Sequence, residues 1–139
     1  MSQPTASKTH VGSCHCGEVR FQSELDLSNG ATKCNCTFCT KLGGPSTVIK
    51  PSAFRLVAGK DVLSEYRKPG SPAARFFCSR CGAHVYGAGD IPELGGAFVS
   101  VNLACLDDLD PWKLKLGYWD GRHDNWHAGL RDQPWPVFA

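Results

Sequence analysis

Seven of the eight cysteines in this 139-residue chain lie in tight spacings: Cys14-x-Cys16, Cys34-x-Cys36-x-x-Cys39 and Cys78-x-x-Cys81, with Cys105 apart. Residues two apart on an extended chain share a face but stand about 6.6 Å apart, too far to hold one ion, so a turn must bring each pair of sulfurs to one point. Such spacing suits a metal chelate better than a disulfide framework. Structural zinc takes four protein ligands, whereas catalytic zinc takes three and keeps one position open. Seven clustered thiols therefore divide as four plus three. One partition joins Cys14 and Cys16 to Cys78 and Cys81 and leaves Cys34, Cys36 and Cys39 together. A rival joins the two C-x-x-C pieces, Cys36 and Cys39 with Cys78 and Cys81, in the manner of a zinc ribbon. It leaves Cys14, Cys16 and Cys34, with or without Cys105, for a second ion. Spacing favours the first partition only mildly, because the rival splits ligands of one tight loop between two ions.

Redox compartment and charge narrow the chemistry. The opening stretch MSQPTASKTH lacks the apolar run of a signal peptide. A cytoplasmic, reducing location is therefore expected, where disulfides are rare. Fifteen basic against thirteen acidic residues give a formal charge of +2, no footprint for nucleic acid or an anionic membrane. Loading two Zn²⁺ through seven thiolates brings it to about −1. The apolar runs are too short for a transmembrane helix.

The elements that must position these cysteines read as short strands. EVRFQS (18–23), STVIKP (46–51), FRLVAG (54–59), VLSEYR (62–67), ARFFCS (74–79), HVYGAG (84–89), AFVSVNL (97–103) and WKLKLGYW (112–119) are rich in Val, Phe, Tyr and Thr. Gly, Pro or polar turns separate them, as strands of a half-buried sheet require. Helix is expected only in short pieces, after Cys36 and around Leu106–Leu109. The length suits one domain over 11–139, preceded by a disordered tail over 1–10. Trp126, Trp135 and Phe138 near the C-terminus read as hydrophobic plugs, or else as a wall on which a ligand stacks.

Taken together, GSCHCGEVRF (12–21), KCNCTFCTKLGG (33–44) and RFFCSRCGAHVY (75–86) resemble the three motifs of the glutathione-dependent formaldehyde-activating enzyme family, which includes centromere protein V-like proteins. FRLVAGKDVLSEYR (54–67) fits a further segment of that family, and Trp126, Asp132, Pro134, Pro136 and Phe138 resemble its closing pattern. The resemblance spans about residues 11 to 138. It implies a mainly β fold with little helix, the β-tent of stacked, twisted antiparallel sheets stapled by zinc. It also implies two zinc ions: a structural one on Cys14, Cys16, Cys78 and Cys81, and a catalytic one on Cys34, Cys36 and Cys39. The family often has Cys-His-Cys in its second motif, where this chain has Asn35.

Zinc on three thiolates is a weak generator of hydroxide but exchanges a fourth thiolate readily. The resemblance points to glutathione as that thiol and co-substrate. A thiolate adding to formaldehyde gives an S-hydroxymethyl adduct, and the reverse reaction cleaves a carbon–sulfur bond. The implied activity is a carbon–sulfur lyase acting on glutathione and a small electrophile, or on another glutathione S-conjugate. Lys41 and Arg75 are candidates for the carboxylates of glutathione, and Gly43 and Gly44 for backbone N–H contacts. Arg80 reads as a surface charge beside the four-thiol site and His15 as structural, while His84, His123 and His127 are candidate acid–base groups. Cys105 reads as a small buried hydrophobe. A second reading is a non-catalytic, zinc-stapled module for a protein or chromatin partner, in which Cys105 or a His completes the second site. The sequence does not set the oligomeric state, a homo-oligomer included.

Overall fold

In the computed structural model, residues 7–28 and 30–138 are described. Ten strands and one short helix are found among them: β1 (Lys8–Ser13), β2 (Arg20–Leu25), β3 (Ala31–Cys34), α1 (Thr37–Leu42), β4 (Ser46–Ile49), β5 (Phe54–Ala58), β6 (Leu63–Tyr66), β7 (Ala73–Cys78), β8 (His84–Ile91), β9 (Gly96–Asn102) and β10 (Leu116–Trp119). The protein is mainly β, as expected. No described helix is long and apolar enough to cross a membrane.

The strands form a three-stranded sheet, β1-β2-β5, and a seven-stranded sheet, β10-β3-β4-β9-β8-β7-β6. All pairs are antiparallel except β3–β10, which is parallel. In β2 the alternation is clean: Phe21, Ser23 and Leu25 are buried and their neighbours exposed. Phe21 stacks on Phe54 at 5.4 Å, Phe54 meets Tyr86 at 4.5 Å, and Tyr86 stacks on Phe76 at 4.8 Å. This aromatic ladder joins one sheet to the other. Val19, Leu25, Val85, Val99, Val101 and Leu103 complete one core together with Cys14 and Cys78.

The opposite face of the large sheet carries the site. Tyr66, Arg75, Gly87, Ser100 and Val48 lie in one cross-strand row over β6, β7, β8, β9 and β4. Residues directly opposite across strands share a face. Helix α1 lies on that face: Phe38 stacks on Tyr66 at 5.8 Å, and the Arg75 guanidinium sits 4.7 Å over the Phe38 ring.

Two expectations are corrected. Strand β1 begins at Lys8, so Lys8, Thr9 and His10 pair with β2 instead of fraying; residues 1–6 of the expected tail lie outside the described residues. Leu106–Leu109 is not helical. A 3-10 turn over Leu103–Cys105 precedes it, Leu106 bridges Gly12, and the Asp107 N–H donates to Val11 O at 2.9 Å. Pairing with β1 takes the backbone groups a helix would have used.

Candidate metal centre

The sulfurs gather in two groups, Cys14 with Cys16, Cys78 and Cys81, and Cys34 with Cys36 and Cys39, each with all Sγ atoms within 4.8 Å of one another. The zinc-ribbon partition is thereby overturned. Sulfurs 2.3 Å from one tetrahedral centre are about 3.8 Å apart. The Cys14–Cys16 and Cys16–Cys78 separations of 3.6 and 3.7 Å fit that spacing.

The four-thiol group is built from two turns. The first joins β1 to β2, closed by Gly17 N–H to Cys14 O at 3.1 Å; the second joins β7 to β8, closed by Gly82 N–H to Cys78 O at 2.7 Å. Gly17 and Gly82 follow the second cysteine of each pair and have φ of +83° and +77°, a region that favours glycine. Backbone N–H groups point at sulfur: Val19 to Cys14 at 3.3 Å and Arg80 to Cys78 at 3.4 Å. The Arg80 side chain pairs with Glu18 at 3.5 Å on the surface. Hydrogen bonds from the Ala83 and Cys16 N–H groups hold the Cys81 thiol down to about 6.

The three-thiol group sits where β3 ends and α1 begins. Cys36 caps α1: its Sγ accepts the Cys39 N–H at 3.2 Å, and the Gly43 N–H closes the helix on Cys39 O at 2.9 Å. Contacts with the thiols of Cys34 and then Cys39 hold Cys36 down to about 2. Contacts with Cys34 and then Cys36, joined by burial, push Cys39 far above the ordinary thiol range. Proximity to Cys36 raises Cys34. One thiol ionises easily and its neighbours resist, so the full set needs a cation to become three thiolates. Among the described residues no histidine joins either group.

A polar network around the buried Asp120, which the sequence reading missed, holds this loop. Asn35 Nδ2 donates to Asp120 Oδ1 at 2.8 Å and to Pro136 O at 3.1 Å, and Asn35 Oδ1 accepts the Arg122 N–H at 2.9 Å. Arg122 Nε donates to Asn35 O at 2.8 Å. Asp120, only 4% exposed, also accepts from His123 Nδ1 at 2.7 Å and Asn125 Nδ2 at 3.2 Å. Burial raises the Asp120 carboxyl, but Asn35, His123 and Asn125 outweigh it and hold it below its usual range. A carboxylate only accepts, so His123 carries its proton on Nδ1. The cluster of polar turn residues in DGRHDN (120–125) was the available signal.

A cavity of about 290 Å³ opens beside the three thiols, lined by Lys33, Cys34, Asn35, Cys39, Thr40, Gly43, Gly44, Tyr118, Trp119 and the C-terminal residues Pro134, Trp135 and Val137. The expected substrate residues are divided. Gly43 and Gly44 line this cavity; Lys41 and Arg75 line a second one of about 330 Å³ on the other side of α1. Lys33, not singled out from the sequence, is the cation beside Cys34. Gly44 packs so closely on Asn102 that a Cβ would come 2.6 Å from its Oδ1. Trp135 is a cavity wall, whereas Phe138 is 83% exposed and plugs nothing. Cys105 joins neither thiol group; its Sγ donates to His84 O at 3.2 Å, and burial first, then nearby Cys14, pushes it up to about 11. His15 and His127 are exposed. His84 is half-buried with Nε2 unpartnered, and burial and Arg75 hold its imidazole down to about 4.

Residues 9–122 match the family described as glutathione-dependent formaldehyde-activating enzyme. A protein of Halomonas elongata, provisionally named glutathione-dependent formaldehyde-activating enzyme, is 35% identical over 83 residues, which is 54% of this chain. That match spans 53% of the Halomonas protein, so the chain covers about half the length of this curated relative. A crystal structure of a Rhodobacter sphaeroides protein superposes with a TM-score of 0.65 at 29% identity, covering 73% of this chain and 92% of that one. The family match covers most of the chain and takes in all seven clustered cysteines: the chain belongs to the glutathione-dependent formaldehyde-activating enzyme family.

Proposed function

We propose that the protein is a zinc-dependent carbon–sulfur lyase acting on glutathione adducts, with formaldehyde or another small electrophile as second substrate. The observation that carries this is the split of the sulfurs into a closed group of four and a group of three beside a cavity. Cys14, Cys16, Cys78 and Cys81 would hold a structural zinc, and Cys34, Cys36 and Cys39 a second. Bound there, zinc supplies one exchangeable position for a thiol kept as thiolate near neutral pH.

The chain's own residues do the rest. Cys36 caps α1 and so fixes the direction of that helix relative to its own sulfur. Lys33 gives the cavity a positive charge suited to a glutathione carboxylate, and Gly43 and Gly44 let the backbone approach the ligand closely. Trp119, Trp135 and Pro134 cover the ligand and exclude water, which strengthens each polar contact made inside. Cys105, bonded to His84 O, does not supply the fourth ligand that a purely structural second site would need.

Metal analysis tests the assignment. The wild type should carry two zinc ions per chain. Cys39→Ser should lose one together with the activity while keeping the fold, and Cys78→Ser should unfold. Turnover by Cys39→Ser would overturn the catalytic assignment.

A further inference from the structure

The cavity behind α1 has no place in the reading above. Thr37, Phe38, Lys41, Tyr66, Lys68, Ser71, Ala73 and Arg75 line it. Three of these are cations and none is an acid. Thr37 and Lys41, four apart, share one face of α1. Cys39 is about 200° around the helix from each, so this cavity and the cysteine cavity flank a single short helix.

Arg75 is the anchor. It projects from the same sheet face as Tyr66, its partner in β6. Its guanidinium lies over Phe38 and close along Gly87, where a Cβ would stand 2.7 Å from Nη1. A planar, weakly hydrated cation held this way keeps its outer N–H groups for a two-pronged contact. No described carboxylate takes it up: the ion pairs among the described residues join His10 to Asp108, Arg67 to Glu65, Arg80 to Glu18 and His123 to Asp120. Lys41 from α1 and Lys68 from the β6–β7 turn complete the positive wall, and neither has a carboxylate partner there. Three cations line this cavity with no acid among the lining residues, so an anion bound there would offset their charge.

We propose that this cavity is an oxyanion-binding subsite, in which Arg75, Lys41 and Lys68 take a carboxylate or phosphate group and tie α1 to the β6–β7 hairpin. Formaldehyde, small and neutral, has no use for such a pocket. The ligand is an anionic portion of a substrate or a separate small anion. The subsite contains no cysteine, so it stands or falls apart from the assignment of the second zinc site.

The test uses the zinc-loaded full chain at low ionic strength, titrated calorimetrically with inorganic phosphate. Saturable binding is expected, weakened at least tenfold by Arg75→Gln and several-fold by Lys68→Gln, with the zinc content unchanged. Lys68 is exposed, so its variant keeps the test valid should Arg75→Gln fold poorly. Gly87→Ala should act like Arg75→Gln, because the new methyl displaces the guanidinium. Lys113→Gln, remote from the cavity lining, should bind phosphate as the wild type does. A repeat with glutathione present separates the two sources. Competition identifies the anion as a carboxylate of glutathione; undiminished phosphate binding identifies a separate small anion. Absence of saturable phosphate binding, or binding indifferent to both Arg75→Gln and Lys68→Gln, overturns the proposal.

Discussion

Asn35→Ala separates the positioning of the three-thiol loop from the thiols themselves. The wild-type amide makes three hydrogen bonds, to Asp120, to Pro136 O and from the Arg122 N–H. The two neutral bonds contribute about 1 kcal/mol each, and the bond to the carboxylate about 1.5 to 3. The truncation does not orphan Asp120, which keeps His123 and Asn125. Asn35 is only half-buried, so water replaces part of what is lost. A loss of about 3 kcal/mol follows, somewhat below the sum of about 3.5 to 5. Because Asn35 lies between two proposed ligands, part of that loss should appear in metal affinity. Groups that orient ligands typically contribute 10- to 100-fold.

Two measurements check this: denaturant unfolding of the zinc-loaded protein, and zinc competition against a chromophoric chelator. One zinc per chain should become about 10- to 100-fold easier to remove while the other is held as before. Stability within about 0.5 kcal/mol of wild type, together with unchanged affinity for both ions, would refute the clamp. Equal weakening of both sites would show that Asn35 acts on the whole fold.

Gly121→Ala approaches the same loop from the other side, since a Cβ at Gly121 would run into Cys34 Sγ and the Trp126 ring. It should cost about 1 to 3 kcal/mol by overpacking and lower the occupancy of the second site alone; intact zinc at both sites would count against it. His84 predicts an acid-labile term. Its pKa falls from 6.5 to about 4 on folding, so between those values the unfolded chain binds a proton that the folded chain refuses. This term is neutral above pH 6.5 and removes stability as the pH falls toward 4, by at most about 3 kcal/mol. His84→Gln lacks it, so the stability of the variant relative to wild type should rise as pH falls from 6.5 toward 4, with thiolate protonation common to both. Parallel pH–stability curves would refute it.

What was legible in the sequence followed local rules. Strong alternation revealed β2, and the run of short apolar pieces located β4 to β9 within a few residues. The helix expected after Cys36 is present as Thr37–Leu42, and Gly43 ends it in a left-handed conformation. Strand β1 was missed because KTHVGS has a weak apolar pattern; its place is set by six register pairs with β2. In WKLKLGYW only Leu116–Trp119 is strand, because the parallel partner β3 is four residues long and Pro111–Lys113 forms a 3-10 turn. Leu106 and Leu109, three apart, imitate a helical period. Asn35 and Asp120 are 85 residues apart, and no local pattern carries such a pairing. Lys33 and Lys68 look like ordinary surface lysines until the fold sets each beside a cavity.

The two groups of thiols differ in what they are packed against. Cys14 and Cys78 are 3% and 0% exposed and belong to the core that joins the two sheets. Cys16 is exposed and Cys81 half-buried, but through Cys14 and Cys78 any ion bound there is tied to the stability of both sheets. Cys34, Cys36 and Cys39 are all half-buried and stand at the junction of one strand end and one six-residue helix. A helix this short contributes little stability of its own, so its position depends on contacts that can be altered one at a time: Asn35 with Asp120, Phe38 with Tyr66 and Arg75, Gly44 with Asn102. The consequence is an ordering of metal loss. Under graded chelation the first zinc should leave without unfolding the sheets, and the second only with them, seen as loss of one zinc before any change in the β-sheet circular dichroism. Simultaneous loss of both zinc ions and the fold would show that the two groups are energetically one, and that the three-thiol site is as structural as the other.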